Sequence, residues 1–346
     1  MTRVVHVVRS DGFAGVEGFI ARLAAEQARA GHQVSVIGGE VSRMRGVLGP
    51  TVPHTPDETV LGVVRSLLAL PQPPDVLNVH MTAAELAATV AAALRRWGAR
   101  PAVVATCHFA GRRGSGSRAF GPLVAAVARH RVVAQIAVSR FVAAEVGGES
   151  DVVHTGVPNR AMPDGPRDRT VLVVQRLEPE KRTTDALRVF AESGVAHRGW
   201  RLQVAGDGVD RGAVVSLAAE LGIAASTDLL GRRDDVPTLM AKAGILLAPT
   251  PREGLGLAVV EAMAAGLPVL AAGSGGHLET VGSIPEGQLY TDLTDAAERL
   301  GALADDEGGR AAYGAALWAA QREKFTLARQ AAATEAVYRR ALEARS

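Results

Sequence analysis

The feature that most constrains this chain is an alternation that runs along it twice. Short β-branched runs, each followed by an Ala/Leu-rich segment of helical period, begin with RVVHVV (3–8), GFIARLAAEQARAG (18–31) and QVSVIG (33–38). DVLNVH (75–80), AVVATCH (102–108) and VVAQIAVS (132–139) continue the series. Strands apolar on both faces and alternating with helices predict a parallel sheet covered by helices. A Pro/Gly/Asp-rich stretch, GVPNRAMPDGPRDRT (156–170), interrupts the pattern. It restarts with VLVV (171–174), RLQVAG (201–206), DLLG (228–231), GILLAP (244–249) and PVLAA (268–272). The predicted architecture is α/β, with two doubly wound domains, 1–160 and 161–323, facing a central cleft. A long Ala/Arg-rich helical segment (308–345) divides near Phe325, and its last part, 324–346, is expected to return to the first domain. At 346 residues the chain exceeds the size of most single cores, which agrees with two domains.

Composition removes several function classes. A net charge of +2 with 21% charged residues gives no electrostatic footprint for nucleic acid. Cys107 is the single cysteine, so there is no disulfide framework and no thiolate metal cluster, as suits a reducing compartment. Packing explains it better than nucleophilic chemistry. No apolar run approaches the ~20 residues of a membrane span. The start, MTRVVHVVRS, reads as a first strand rather than a leader. The expected setting is cytoplasmic, with peripheral membrane contact left open.

Chemistry concentrates in PREGLGLAVVEAMAAG (251–266). The strand GILLAP ends at Pro249, a turn holds Gly254 and Gly256, and a helix from about Leu257 to Ala265 is stopped by Gly266-Leu267-Pro268. The glycines let backbone N–H groups approach a ligand, and the helix start adds partial positive charge. Two acids flank this turn: Glu253 in the loop and Glu261 on an apolar helix, where a buried carboxylate would need a partner such as a pair of ribose hydroxyls. Their placement disfavours joint chelation of one metal. A solvent-facing Glu261 and a dipole-favoured Glu253 remain the bland alternative. In VVQRLEPEKRTTDAL (173–187), Arg176 and Lys181 stand between strand and helix, as a diphosphate would require or as solvated surface charges would equally allow.

These segments together resemble one family. QRLEPEK (175–181) is similar to the R-x-x-x-x-K phosphate clamp of family 4 glycosyltransferases, and EGLGLAVVE (253–261) to their E-x7-E motif with its E-G-x-G opening. AGVEGFIARLAAEQARAGHQVSVI (14–37) resembles the family's glycine loop and first helix, and VVHTGVP (152–158) its entry to the second domain. DVLNVH and TCHF match its histidine-bearing strand ends, and LLGRRDDVPTLMAKAGILLAPT (229–250) the stretch before the E-x7-E strand. Two positions depart: the usual glycine pair of the first loop reads Ala14-Gly15, and Leu255 replaces the common aromatic. The first puts in doubt how closely that loop approaches its ligand.

The resemblance implies a GT-B fold of two Rossmann-like domains, with nucleotide-sugar held mainly by the second and acceptor by the first. It also implies retention of anomeric configuration, most often with a uridine nucleotide. Arg176 and Lys181 would neutralise the diphosphate leaving group, Glu261 would hold ribose, and Glu253 the donor sugar. Backbone at Gly254, Leu255, Gly256 and Leu257 would support sugar and phosphate, with Gly15, Gly231 and Arg232 also donor-side. His108 would meet the reacting sugar near its anomeric centre, and His80, Phe109, Arg112 and Arg113 are placed on the acceptor side. The stretch 109–131 also reads as a mobile solvated loop followed by an ordinary amphipathic helix.

The acceptor implied is a small molecule, natural product or lipid offering a hydroxyl or amine, and no cofactor beyond the co-substrate is expected. The chain contains no D-x-D triplet, which disfavours a carboxylate-held divalent ion. Neither GDGVDRG (206–212), GSGG (273–276) nor SDGFAG (10–15) has dinucleotide-fingerprint spacing, which disfavours a nicotinamide enzyme. A nucleotide-sugar 2-epimerase of the same architecture and a non-catalytic nucleotide-sugar-binding protein are the alternatives. Nucleoside diphosphate released only when acceptor is present would separate a transferase from both.

Overall fold

The structure, a computed structural model, describes residues 1–95, 100–111 and 131–344. They form two compact units, Met1–Gly156 with Leu327–Ser346, and Val157–Thr326.

The first unit begins β1 (Arg3–Val8), α1 (Gly15–Arg29), β2 (Gln33–Ile37), α2 (Val41–Leu48), β3 (His54–Thr55) and α3 (Val60–Leu68). It continues β4 (Val76–His80), α4 (Thr82–Leu94), β5 (Ala102–Cys107), β6 (Val132–Ala137), α5 (Arg140–Val146) and β7 (Asp151–Val152). The strands pair in parallel in the order β3-β2-β1-β4-β5-β6-β7. Short polar residues start several helices: Thr59 Oγ1 accepts the Gly62 N–H at 2.9 Å, and Ser139 Oγ accepts that of Val142 at 3.0 Å. Ala14 has no such oxygen, so Glu17 reaches back from the first turn of α1 to accept the Ala14 N–H at 2.9 Å. On one face of the sheet Val5, Val7, Leu77, Val79, Val103 and Ala105 pack against α3 and α4.

The second unit runs β8 (Thr170–Val174), α6 (Thr183–Glu192), β9 (Arg201–Ala205), α7 (Arg211–Glu220), β10 (Thr227–Gly231) and α8 (Val236–Lys242). It continues β11 (Ile245–Ala248), α9 (Leu257–Ala264), β12 (Val269–Ala272), β13 (Gln288–Tyr290), α10 (Leu293–Asp305) and α11 (Glu307–Lys324). Its parallel sheet has the order β10-β9-β8-β11-β12-β13. The chain winds outward from β8 in one direction and from β11 in the other, so the adjacent β8 and β11 form the topological switch point. Beneath them Val173, Phe190, Trp200, Val204, Leu247 and Leu270 share one continuous core.

Past Phe325 the chain enters α12 (Leu327–Glu343), which belongs to the first unit. Val337, Tyr338 and Ala341 of α12 pack with Val4, Val76, Ala102 and Val104 on the sheet face opposite α3 and α4. Gln330 Oε1 accepts the Gly156 N–H at 2.8 Å, and Asn78 Nδ2 donates to the Tyr338 hydroxyl at 2.5 Å.

Both units have the parallel α/β architecture that the alternation predicts. The pattern gave no sign of β3, β7 or β13, which at two or three residues are too short to show a period. Among the described residues, no helix is long and apolar enough to cross a membrane.

Candidate active site

The loops leaving β8 and β11 meet at the switch point of the second unit. There Lys181 Nζ lies 2.6 Å from Glu253 Oε2, with side chains 18% and 23% exposed. Local sequence explains how Lys181 is set. Pro179 opens a single 3-10 turn, Pro179–Lys181, and Arg182 at φ 55° bends the chain into α6. The Gln175 amide donates to the Lys181 carbonyl and to Thr183 Oγ1, each at 2.9 Å, and Thr250 Oγ1 donates to Gln175 Oε1 at 3.2 Å. Gln175 and Thr250 therefore latch the two loops together beside the ion pair.

Arg176 points outward from the same loop, 57% exposed, with Glu180 Oε1 at 3.0 Å and Glu178 Oε1 at 3.8 Å. Its backbone neighbours are fixed by the loop after β9. The Leu177 N–H donates to the Asp207 carbonyl, and the Asp210 N–H to the Leu177 carbonyl, both at 2.9 Å. Glycine is required there: a Cβ at Gly206 would lie 1.7 Å from the Gln175 oxygen.

The turn after Glu253 rests on a second turn. Ser274 Oγ donates to the Pro251 carbonyl at 2.6 Å, and the Gly276 N–H to the Glu253 carbonyl at 2.8 Å. A Cβ at Gly276 would fall 2.4 Å from the Gly254 oxygen, so only glycine admits this approach. Gly254, Leu255 and Gly256 are buried, Gly256 precedes α9 with φ 89°, and Leu257 is partly exposed in its first turn. His277, buried behind Gly256, donates from Nδ1 to the Ala272 carbonyl at 3.0 Å. Burial pushes its pKa down, opposed by the nearby Glu253 carboxylate and reinforced by Lys181. The neutral ring therefore turns a bare Nε2 toward the loop.

Glu261 is partly exposed on α9, so it does not carry the full burial penalty that an acid on so apolar a helix was expected to bear. Gly231 ends β10 at φ 66°, with its carbonyl accepting the Gly206 N–H at 2.8 Å, and Arg232 is exposed just beyond it. Sequence reasoning missed Gln175, Thr250, Ser274, Gly275, Gly276 and His277. The glycine pair directly after strand β12 was the available signal.

In the first unit Gly15 is the exposed opening residue of α1. His108 follows β5, partly exposed, with its Nε2 3.0 Å from His80 Nδ1 and its ring edge-on to Phe19 at 4.7 Å between centroids. His80 is fully buried and spends its other nitrogen on His6, 3.2 Å away. With no exposed surface and both nitrogens engaged, it cannot itself touch an acceptor, which corrects the acceptor-side expectation. Burial pushes His6 and His108 down to about 4, and His80 lower than its ordinary value as well. Phe109 is 54% exposed, whereas Arg112 and Arg113 lie outside the described residues. Among the described residues, no group of three or more His, Cys, Asp or Glu is arranged to hold a metal ion.

Two doubly wound parallel units are the architecture of GT-B glycosyltransferases. HepE of Anabaena, solved in complex with UDP, superposes with a TM-score of 0.80 at 18% identity, over 96% of this chain and 98% of that one. Residues 13–158 match the family model described as Glycosyltransferase Family 4, and residues 162–316 the model described as Glycosyl transferases group 1. The chain belongs to the family 4 glycosyltransferases. Among curated relatives, it is 32% identical over 168 residues to an exopolysaccharide phosphotransferase of Streptomyces coelicolor, covering 46% of this chain and 18% of that protein. It is 37% identical over 113 residues to the 2-deoxystreptamine glucosyltransferase of Streptomyces kanamyceticus, covering 32% of this chain and 29% of that protein. These matches thus span less than a third of each relative's length.

Proposed function

We propose that the chain moves a sugar from a nucleotide-diphosphate sugar, with uridine as the base, to a hydroxyl or amine of a small-molecule, natural-product or lipid acceptor. The transfer retains anomeric configuration and needs no metal ion. The observation that carries this reading is Lys181 meeting Glu253 at the switch point, where open α/β sheets bind their ligands. The UDP bound to HepE and the glucosyl transfer named for the S. kanamyceticus relative support the nucleotide and the reaction class.

In this reading Lys181 keeps donors to spare beyond Glu253 and shares them with the diphosphate, while the exposed Arg176 supplies the second charge. Fixed cations replace a divalent ion in stabilising the leaving group. Glu253 takes sugar hydroxyls, Glu261 the ribose, and the backbone from Gly254 to Leu257, with Gly231 and Arg232, completes the donor contacts. Gly15 serves the donor from the first unit, His108 takes a sugar hydroxyl, and Phe109 with Arg112 and Arg113 serves the acceptor. The acceptor oxygen attacks the anomeric carbon on the face from which diphosphate departs. Its proton passes to a leaving-group oxygen, so one C–O bond forms as another breaks. A cytoplasmic setting, supported by the single cysteine, completes the proposal.

A screen of UDP-, GDP-, ADP- and dTDP-sugars for acceptor-dependent release of nucleoside diphosphate tests it. UDP-sugars are expected to react in the presence of EDTA. Lys181→Ala is expected to lower turnover by about 100-fold or more, with little loss of folding. Near-normal turnover in that variant would remove the clamp, and strict dependence on added Mg²⁺ would remove the metal-free mechanism.

A further inference from the structure

Three histidines and an asparagine from the first sheet, with a glutamine of α1 and a tyrosine of α12 packed on the same face, form a polar cluster among mostly apolar residues. His6 and Asn78 stand on the adjacent strands β1 and β4, and His80 ends β4 two residues further along. Their partners form two hydrogen-bonded runs that meet where Gln27 lies beside Tyr338. Thr106 Oγ1 donates to Asn78 Oδ1 at 2.8 Å, and Asn78 Nδ2 to the Tyr338 hydroxyl of α12. Gln27 of α1 lies beside the Tyr338 phenol and opposes the rise in its pKa that burial imposes. Gln27 Oε1 then lies 2.7 Å from His6 Nε2, His6 Nδ1 lies 3.2 Å from His80 Nε2, and His80 Nδ1 lies 3.0 Å from His108 Nε2. Gln27 is 3% exposed and His6 and His80 are fully buried, so the Gln27–His6 and His6–His80 bonds are sheltered from water, while the line reaches the surface at the partly exposed His108.

The chemistry of the two ends gives this line a direction. The Gln27 atom that meets His6 is the amide oxygen, Oε1, and an amide oxygen only accepts. His6 must therefore donate from Nε2. A neutral imidazole carries one proton, so His6 Nδ1 is a lone pair and accepts from His80 Nε2–H. By the same step His80 Nδ1 accepts from His108 Nε2–H, and the lone pair left over at the end of the line is His108 Nδ1. Burial keeps the rings neutral, because an imidazolium there would lack solvation.

We propose that Gln27, His6 and His80 are positioning residues that lock His108 as the neutral Nε2–H tautomer, so that its Nδ1 is a fixed hydrogen-bond acceptor for a hydroxyl of the bound sugar. The functional half of this inference rests on the reading that His108 meets the donor sugar; the tautomer lock does not. The line explains why a core otherwise built of Val, Leu and Ala keeps these polar groups. It also explains the buried His80, whose ring holds and polarises that of His108 without touching substrate. A reversed Gln27 amide would reverse every proton along the line and turn His108 into a donor at Nδ1, so the direction is open to measurement.

Long-range ¹H–¹⁵N correlation spectra of the ¹⁵N-labelled full chain distinguish Nε2–H, Nδ1–H and doubly protonated rings, with signals assigned by single His→Asn variants. At pH 7 the wild-type chain is expected to show His6, His80 and His108 all as Nε2–H. A wild-type His108 in the Nδ1–H form, or in fast exchange between the two, overturns the proposal without any substitution having been made. Gln27→Met, which removes the anchoring oxygen, is expected to mix the tautomers. It should lower kcat about tenfold or more on the nucleotide sugar that the wild type uses fastest, as loss of a tautomer-fixing partner does elsewhere. Unmixed tautomers in Gln27→Met would contradict the lock. Mixed tautomers with unchanged kcat would leave the lock standing and remove His108 from the sugar.

Discussion

Lys181 and Glu253 are 72 residues apart in sequence and 2.6 Å apart in the fold. The pairing keeps a lysine ammonium oriented at the switch point, and the Gln175 amide, itself held by Thr250, fixes the Lys181 backbone carbonyl from which that side chain springs. A preset cation loses less on binding an anion than one that must first be ordered. The histidines show the opposite use of burial, which suppresses charge. His6 and His108 take up no second ring proton in the fold until about pH 4, whereas unfolded histidine takes one up near 6.5. Between those values the unfolded chain binds more protons, so stability is complete above about pH 6.5 and declines as pH falls toward 4. Urea unfolding midpoints measured from pH 7 to 5.5, above the range where most carboxylates titrate, are expected to fall steadily. Each buried ring can contribute up to about 1.4 kcal/mol per pH unit over that interval. A flat profile would mean the rings are already charged or exposed.

At the scale of elements, the glycine turn at 273–276 is the piece whose purpose the sequence concealed. Its spacing fits no nucleotide fingerprint, and the structure shows a different use: it is the seat on which the Glu253 turn lies. Gly276→Ala would place a methyl 2.4 Å from the Gly254 oxygen and from the Leu255 Cα, both backbone atoms. The variant is expected to lose roughly 1–3 kcal/mol of stability and to bind UDP measurably more weakly by calorimetry. Gly212→Ala in α7, where a Cβ meets open space, is the control and is expected to gain roughly 0.5–1 kcal/mol with UDP affinity unchanged. Wild-type affinity and stability in Gly276→Ala would contradict this account of the turn. The long strands and helices were legible because burial on two faces leaves a continuous apolar run, and burial on one helical stripe leaves a period. Short edge strands such as β3 leave none. The latch formed by Gln175 and Thr250 was equally hidden, since a polar residue beside a strand end looks the same whether it ties loops together or meets water.

For the whole molecule, the same plan appears twice, and the motif spacing points to the loops that follow β8 and β11. The polar line of the first unit was half visible: Asn78 and His80, two apart in an apolar run, share a sheet face, but their partners come from β1, α1 and α12. Tyr338 is 260 residues from Asn78, and no local pattern announces such a contact. What unites the account is the claim that fixed cations on the β8 loop receive a diphosphate. A crystal structure of the full chain with UDP tests this most directly. Diphosphate oxygens are expected about 3 Å from Lys181 Nζ and within reach of Arg176. Nucleotide bound elsewhere, with Lys181 paired only to Glu253 and Arg176 only to Glu180, would contradict it.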